Sequence, residues 1–550
     1  MKLGRKTRIA VIVVGVLVVL GAAFFLIMPT IVGMLGEQMQ QNYAARQVTE
    51  QWSDAHVSLK RPLDFAPFQD ALGKLSPQRT QELDAQLLNA TIPDIQKMFE
   101  RGALSAQELT TYYVARIQKY DGTYNTMLEL NPDALEIARQ LDAERAAGKV
   151  RGPLHGIPVL LKDNIATGDK MHNTAGAVVM RDARADRDAF IVRHLREAGA
   201  IVLGKNNLSE WANYMSSDSV NGFSALGGPT RNAYGKFDVS GSSSGSASAV
   251  SLHFATVAVG TETVGSLISP ASNNGVVAMK PTLGLVSRDR IIPISDQMDS
   301  AGPMTRNVAD AAILLNALAA NDAQDEFAMN ASNLRGADFT KNLDANALRG
   351  KRIGLMLKPD FGGDAKKFPR VQELLEQAGA VVVKIDTNAS AGMVNNSPVL
   401  SFGFREGVNE YLAATNAPVK TLADIIAFNA SDLAARAPYG QDLLQGAQDS
   451  KMTRAEYENT AQANRAQAQN FIRQMMRDHQ VDALVSINNN VSMIYAVAGF
   501  PAITIPGGFD ITGQPFGVTF MGDAQQDDTL LGMAYAFEQA THQRQEPTLK

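Results

Sequence analysis

The chain has 550 residues, 45% of them apolar, a formal net charge of −5 and no cysteine. Such a length suits one large α/β domain or several smaller ones, and ordinary Gly, Pro and apolar contents exclude a collagenous, low-complexity or wholly disordered chain. An acidic balance without a long basic run argues against a charge-driven grip on nucleic acid; the absent cysteines exclude a disulfide framework, a thiol nucleophile, a thiolate metal site and an acylated-cysteine anchor.

Lys2, Arg5, Lys6 and Arg8 precede an uncharged, mostly apolar stretch from Ile9 to Gly36. About 20 apolar residues span a bilayer core, so residues 9–36 are expected to form a signal-anchor transmembrane helix. Basic residues before the span predict a cytoplasmic N-terminus (1–8) and an extracytoplasmic body, periplasmic in a Gram-negative envelope. A cleaved signal peptide, and hence secretion, is the alternative; against it the apolar run is long and no small-x-small site follows it closely.

Residues 37–78 are polar and mixed and are expected to be a connector to a catalytic domain over 79–550. From Thr80, Leu83, Leu87, Leu88, Ile92, Ile95 and Met98 recur at helical spacing, and Ser105 with Glu108 fits a capping box. Pro132 opens a helix through Ile137 and Leu141. Next come a strand-like run Ile157–Leu161, a helix over 189–198 stopped by Gly199, and a strand from Ile201 to Leu203. Residues 371–385 repeat that grammar around Gly379. Alternation of this kind means an α/β fold with a central mixed sheet covered by helices. Residues 320–350 and 387–470 are rich in Ala, Asn and Gln and are expected to be mostly helical.

Three places depart from ordinary fold grammar. Lys162 ends the buried run "IPVLL"; lost hydration disfavours its charged form and brings it towards service as a base, although a strand-end lysine can also simply reach solvent or pair with Asp163. Ser240 to Ser251 holds seven serines in twelve residues, and the apolar stretch that follows makes it a turn within the core rather than a flexible linker. Gly265-Ser266, after the strand-like "ATVAV", sets a hydroxyl beside consecutive backbone N–H groups, as an acyl-transfer nucleophile requires; a capping serine would look the same in isolation. Gly241 to Gly245 also matches G-x-S-x-G, but no apolar strand precedes it and neither His253, His479 nor His542 sits in a persuasive setting.

Together, "GPLHGIPVLLKDNI", "SGSSSGSASAV", "GTETVGSLISPASNNGVVAMKPTLGLVSR", "AGPMTRNVADAA" and the C-terminal "AGFPAITIPGG" and "LLGMAYAFEQATHQR" resemble the amidase-signature hydrolases over residues 90–320 and 480–546. The resemblance implies a Ser–cis-Ser–Lys triad with Ser266 as nucleophile, Ser242 as the bridging serine after a cis peptide bond and Lys162 as base. It implies an oxyanion hole from the backbone N–H groups of Thr263, Val264, Gly265 and Ser266, an acyl-enzyme, and no metal or cofactor. The chain departs from the pattern at Val264 and Ser244, where many members have glycine, and at Ile268, where many have arginine. Bacterial peptide amidases are the most similar subgroup, which implies C-terminal peptide amides or similar small carboxamides as substrates. A membrane-associated lipid-amide hydrolase is the alternative enzyme and an inactive, membrane-tethered binding protein the non-enzymatic one. The N-terminus and acidic body disfavour the amidotransferase subunit that serves aminoacyl-tRNA.

Overall fold

The computed structural model describes residues 42–549 except 55–57, 328–330, 332, 335, 358–363, 387–391 and 393. In chain order its strands are β1 (Met127–Leu130), β2 (Pro158–Lys162), β3 (Ile201–Asn206), β4 (Phe223–Ser224), β5 (Gly228–Pro229), β6 (Val257–Glu262), β7 (Val277–Lys280), β8 (Ser300–Thr305), β9 (Arg352–Met356), β10 (Val381–Ile385), β11 (Ala483–Ile487), β12 (Ala502–Phe509) and β13 (Pro515–Met521). Eleven form one sheet in the order β1-β3-β2-β6-β8-β7-β12-β13-β11-β9-β10, while β4 and β5 pair separately. β2 lies parallel to β3 and β6, and β9 parallel to β10 and β11, with antiparallel pairs between. The expected mixed sheet is therefore present. Its central strands are buried along their whole length, as expected of strands covered by helices on both faces.

Local signals explain several helix ends. Ser105 accepts the Glu108 N–H at 3.0 Å, but the Glu108 carboxylate turns to Arg79 (2.7 and 3.0 Å) instead of closing the capping box. Gly199 and Gly379 adopt φ of 83° and 89° and stop their helices, as the sequence predicts. Among the described residues of 320–350, turns stand where helix was expected. Asp322, Asp325, Asp338 and Asp344 each accept the backbone N–H two residues on, a local bond that competes with the helical ladder. The helical expectation holds later, in Ser397–Ala413, Leu422–Ala430, Asp442–Gln448 and Arg454–His479. Phe404 stacks on Tyr214 (centroids 4.4 Å apart) and meets Trp211 edge-on, fixing that helical layer against residues 211–214.

The membrane-spanning helix expected over 9–36 needs correction. Those residues lie outside the described ones, and among the described residues no helix is long and apolar enough to cross a membrane. Arg454–His479 has the length, 26 residues, but Arg454, Glu456, Glu458, Arg465, Arg473 and Arg477 distribute charge along it. What the described residues show is a single α/β domain, and the single-pass, extracytoplasmic localisation and the membrane partnership that rested on the expected anchor have no support among them. The stretch expected as a connector carries a helix over 42–51 whose Gln47 and Gln51 hydrogen-bond to residues 219–239.

Candidate active site

Three chain segments meet at the ends of β2 and β6. β2 delivers Lys162, fully buried, with Nζ donating to Ser242 Oγ at 2.7 Å, Thr261 Oγ1 at 2.8 Å and Thr261 O at 3.2 Å. Burial pushes its pKa down to about 7, against the pull of Asp299 and then Glu262 towards the ammonium form. An amine so placed is close to evenly divided between its forms at neutral pH. The lone pair a base needs is then available.

Ser242 follows a cis peptide bond from Gly241, and its carbonyl accepts the Ser209 N–H at 3.1 Å. The serine run then enters helix Ser244–Ser251. The neighbouring serines spend their hydroxyls on structure: Ser243 Oγ bridges Thr261 O (3.0 Å) and Thr261 N (3.2 Å), Ser244 Oγ returns to Ser240 O, and Ser240 Oγ meets Ser269 Oγ at 2.6 Å. Gly245 packs so closely that a Cβ there would collide with the Asn207 carbonyl oxygen. Ser243, the central serine of the G-x-S-x-G match, is therefore a buried cross-link between the turn and β6. The segment before it is not a strand.

Beyond β6 the chain makes the loop 263–267 and enters the short helix Ile268–Asn273. Ser266 and Thr263 are each 8% exposed, so this loop forms the open side of an otherwise closed cluster. The Ser266 carbonyl accepts the Ser243 N–H at 3.2 Å, tying the two serine-bearing loops together through the backbone. Gly265 takes φ 78°, and an added Cβ would come within 2.9 Å of Asn489 Nδ2. Among the described residues, the N–H groups of Thr263, Val264, Gly265 and Ser266 have no hydrogen-bond acceptor, and neither does the Ser266 hydroxyl. The next two, Leu267 and Ile268, donate to Glu262 Oε2 at 2.8 and 3.1 Å. A run of free N–H groups beside a free hydroxyl is an anion-receptive nest next to a nucleophile-type oxygen.

The Amidase family model matches residues 108–487. The chain belongs to the amidase family. The "Probable amidase" of Arabidopsis thaliana is 36% identical over 471 residues, covering 83% of this chain and 91% of that one. The peptide amidase of Stenotrophomonas maltophilia superposes with a TM-score of 0.79 at 42% identity, covering 84% of this amidase and 99% of the neighbour. An amidase family protein from Bacillus anthracis reaches 0.84 at 40%, covering 88% and 97%. This amidase is accordingly a hydrolase of amide C–N bonds.

Lys162 and Ser242 are in direct contact, and Ser266 joins them through the Ser243 backbone rather than through its hydroxyl. Sequence reasoning missed Thr261, whose hydroxyl and carbonyl both hold the amidase's buried amine, and Asp299, whose Oδ1 accepts from Thr263 Oγ1 at 2.5 Å. Glu262 was not singled out either, although an acid closing an apolar strand is a local signal; Asp299 carries none. The departure at Val264 has a packing reason, since it lies against the apolar cluster of Ile268, Met298 and Ile494. Asp299 also lines a cavity of about 560 Å³ walled by Ile291, Pro293, Gly403, Gly407 and Tyr457.

Proposed function

We propose that this amidase cleaves C-terminal carboxamides of peptides through Ser266, with Ser242 as the proton bridge and Lys162 as the base. The observation that carries the reading is the 2.7 Å contact between the Lys162 amine, lowered to about 7, and the Ser242 hydroxyl. In the first step neutral Lys162 takes the Ser242 proton while Ser242 takes that of Ser266, whose oxygen bonds to the amide carbon. The N–H groups of Thr263, Val264, Gly265 and Ser266 receive the oxyanion. Collapse breaks the C–N bond as the proton returns along the same chain to the leaving nitrogen, releasing ammonia. Water then attacks the acyl-Ser266 ester, giving up its proton along the same route, and the free acid departs with Ser266 restored.

The peptide-amide assignment is supported by 42% identity to the Stenotrophomonas maltophilia peptide amidase across nearly its whole length. Ammonia release from a C-terminally amidated dipeptide by the full chain tests it. Wild type should release ammonia, and Ser266→Ala should lose about 10³-fold or more in kcat. A folded wild type that releases none overturns the substrate, and full activity in Ser266→Ala overturns the nucleophile.

A further inference from the structure

We infer that Asp299 is a positioning residue of the oxyanion loop, holding Thr263 by its side chain so that the loop bearing the four free N–H groups keeps its place, while its charge balances the Lys162 amine. The inference rests on the functional reading above.

Adjacent N–H dipoles aimed at one point repel each other, so such a loop needs anchors outside the nest. One anchor is Glu262, which takes the Leu267 and Ile268 N–H groups on the downstream side. On the upstream side the register pairs Glu262 with Ser300, which brings Asp299, at the entry to β8, beside Thr263. Its Oδ1 accepts from Thr263 Oγ1 at 2.5 Å, and its Oδ2 accepts the Ile294 and Ser295 N–H groups at 2.7 and 3.0 Å. One partly buried carboxylate thereby fastens the loop to the 294–299 turn. That turn lies on the wall of the cavity, so its shape and the nest are coupled through a single side chain.

The charge has a defined setting. Lys162 from β2 feels Asp299 most and Glu262 of β6 next. Asp299 is faced in turn by Arg288, which is paired with Asp325, and by Tyr457 of the helix over 454–479, which is bonded to Asp296. Removing the carboxylate's charge leaves less to favour the ammonium form of Lys162.

Two substitutions in the full chain separate anchoring from charge. Thr263→Val should cut kcat about tenfold with KM within about twofold and the acid limb of kcat/KM unmoved, and Thr263→Ser should restore kcat. Asp299→Asn, which keeps the shape, should cut kcat similarly and also move the acid limb down by about half to one pH unit. Direct NMR titration of the Lys162 amine in Asp299→Asn reads the same displacement without any substrate, so it stands even if the amidated dipeptide fails. Full kcat in folded Thr263→Val, or an unmoved Lys162 titration in folded Asp299→Asn, overturns the inference. A Ser266→Ala variant as active as wild type overturns instead the functional reading beneath it.

Discussion

Lys162 and Lys280 look alike in the sequence: each closes an apolar run, and each ends a buried strand, β2 and β7. Both are fully buried, and burial lowers both, to about 7 and about 8. What separates them is the chemistry of their partners. Lys280 Nζ donates to the carbonyls of Pro281 (2.9 Å) and Phe500 (3.1 Å), oxygens that only accept. Lys162 meets two hydroxyls, those of Ser242 and Thr261, which can both give and take a proton. Depressed basicity follows from burial alone and marks neither lysine as a base. A proton-exchanging partner is what the proposed base has and Lys280 lacks.

The comparison can be broken in three ways. Lys162→Met preserves volume and removes the lone pair, and should lower kcat/KM about 10³-fold, measured by ammonia release. A smaller, graded effect should appear with pH. As pH falls through about 7 the Lys162 amine becomes ammonium, so kcat/KM should fall about tenfold per unit below that point. The slope should ease below about 6, where the partly buried Asp299 carboxylate, raised to about 6, takes up a proton and no longer favours the ammonium form of Lys162. A flat profile between pH 5 and 8 (about the range over which these two groups change charge) would separate the amine from catalysis. The smallest effect is expected at Lys280→Met: activity within about threefold of wild type, and a stability loss of about 1–3 kcal/mol in urea melts from two buried carbonyls deprived of a donor. Equal loss of activity in the two methionine variants would erase the distinction.

Much of this was legible because it is local. The run before Lys162, the serines of 240–251, Gly199 and Gly379 act through near neighbours, and each signal corresponds to a structural element. Thr261 and Asp299 were not legible, because they reach the site through strand pairing. The β2–β6 and β6–β8 registers, between residues far apart in the chain, set Thr261 against Lys162 and Asp299 against Thr263. Glu108 shows the same limit on a small scale, since Arg79, 29 residues away, outcompetes the capping box. In 320–350 alanine content argued for helix, but the aspartates' own backbone bonds prevailed. The apolar 9–36 stretch lies outside the described residues, among which no helix is long and apolar enough to cross a membrane, so the span that hydropathy suggested has no support there.

Gln51 carries a practical consequence. Its uncharged side chain donates to Asn221 O at 2.9 Å and Asp238 Oδ1 at 2.7 Å, and accepts the Val239 N–H at 3.0 Å, one residue ahead of the serine turn. Anyone trimming the chain to a minimal working fragment by its family resemblance would cut near residue 79 and delete that side chain. The cut would take one donor from the Asp238 carboxylate, which would keep the Ser240 N–H and the Asn221 amide, and would take the Gln51 partner from the Asn221 carbonyl and the Val239 amide at the doorstep of Ser240. A fragment that starts ahead of residue 42 keeps all three satisfied, so the useful boundary for excision lies on the far side of a segment that reads as spare tether.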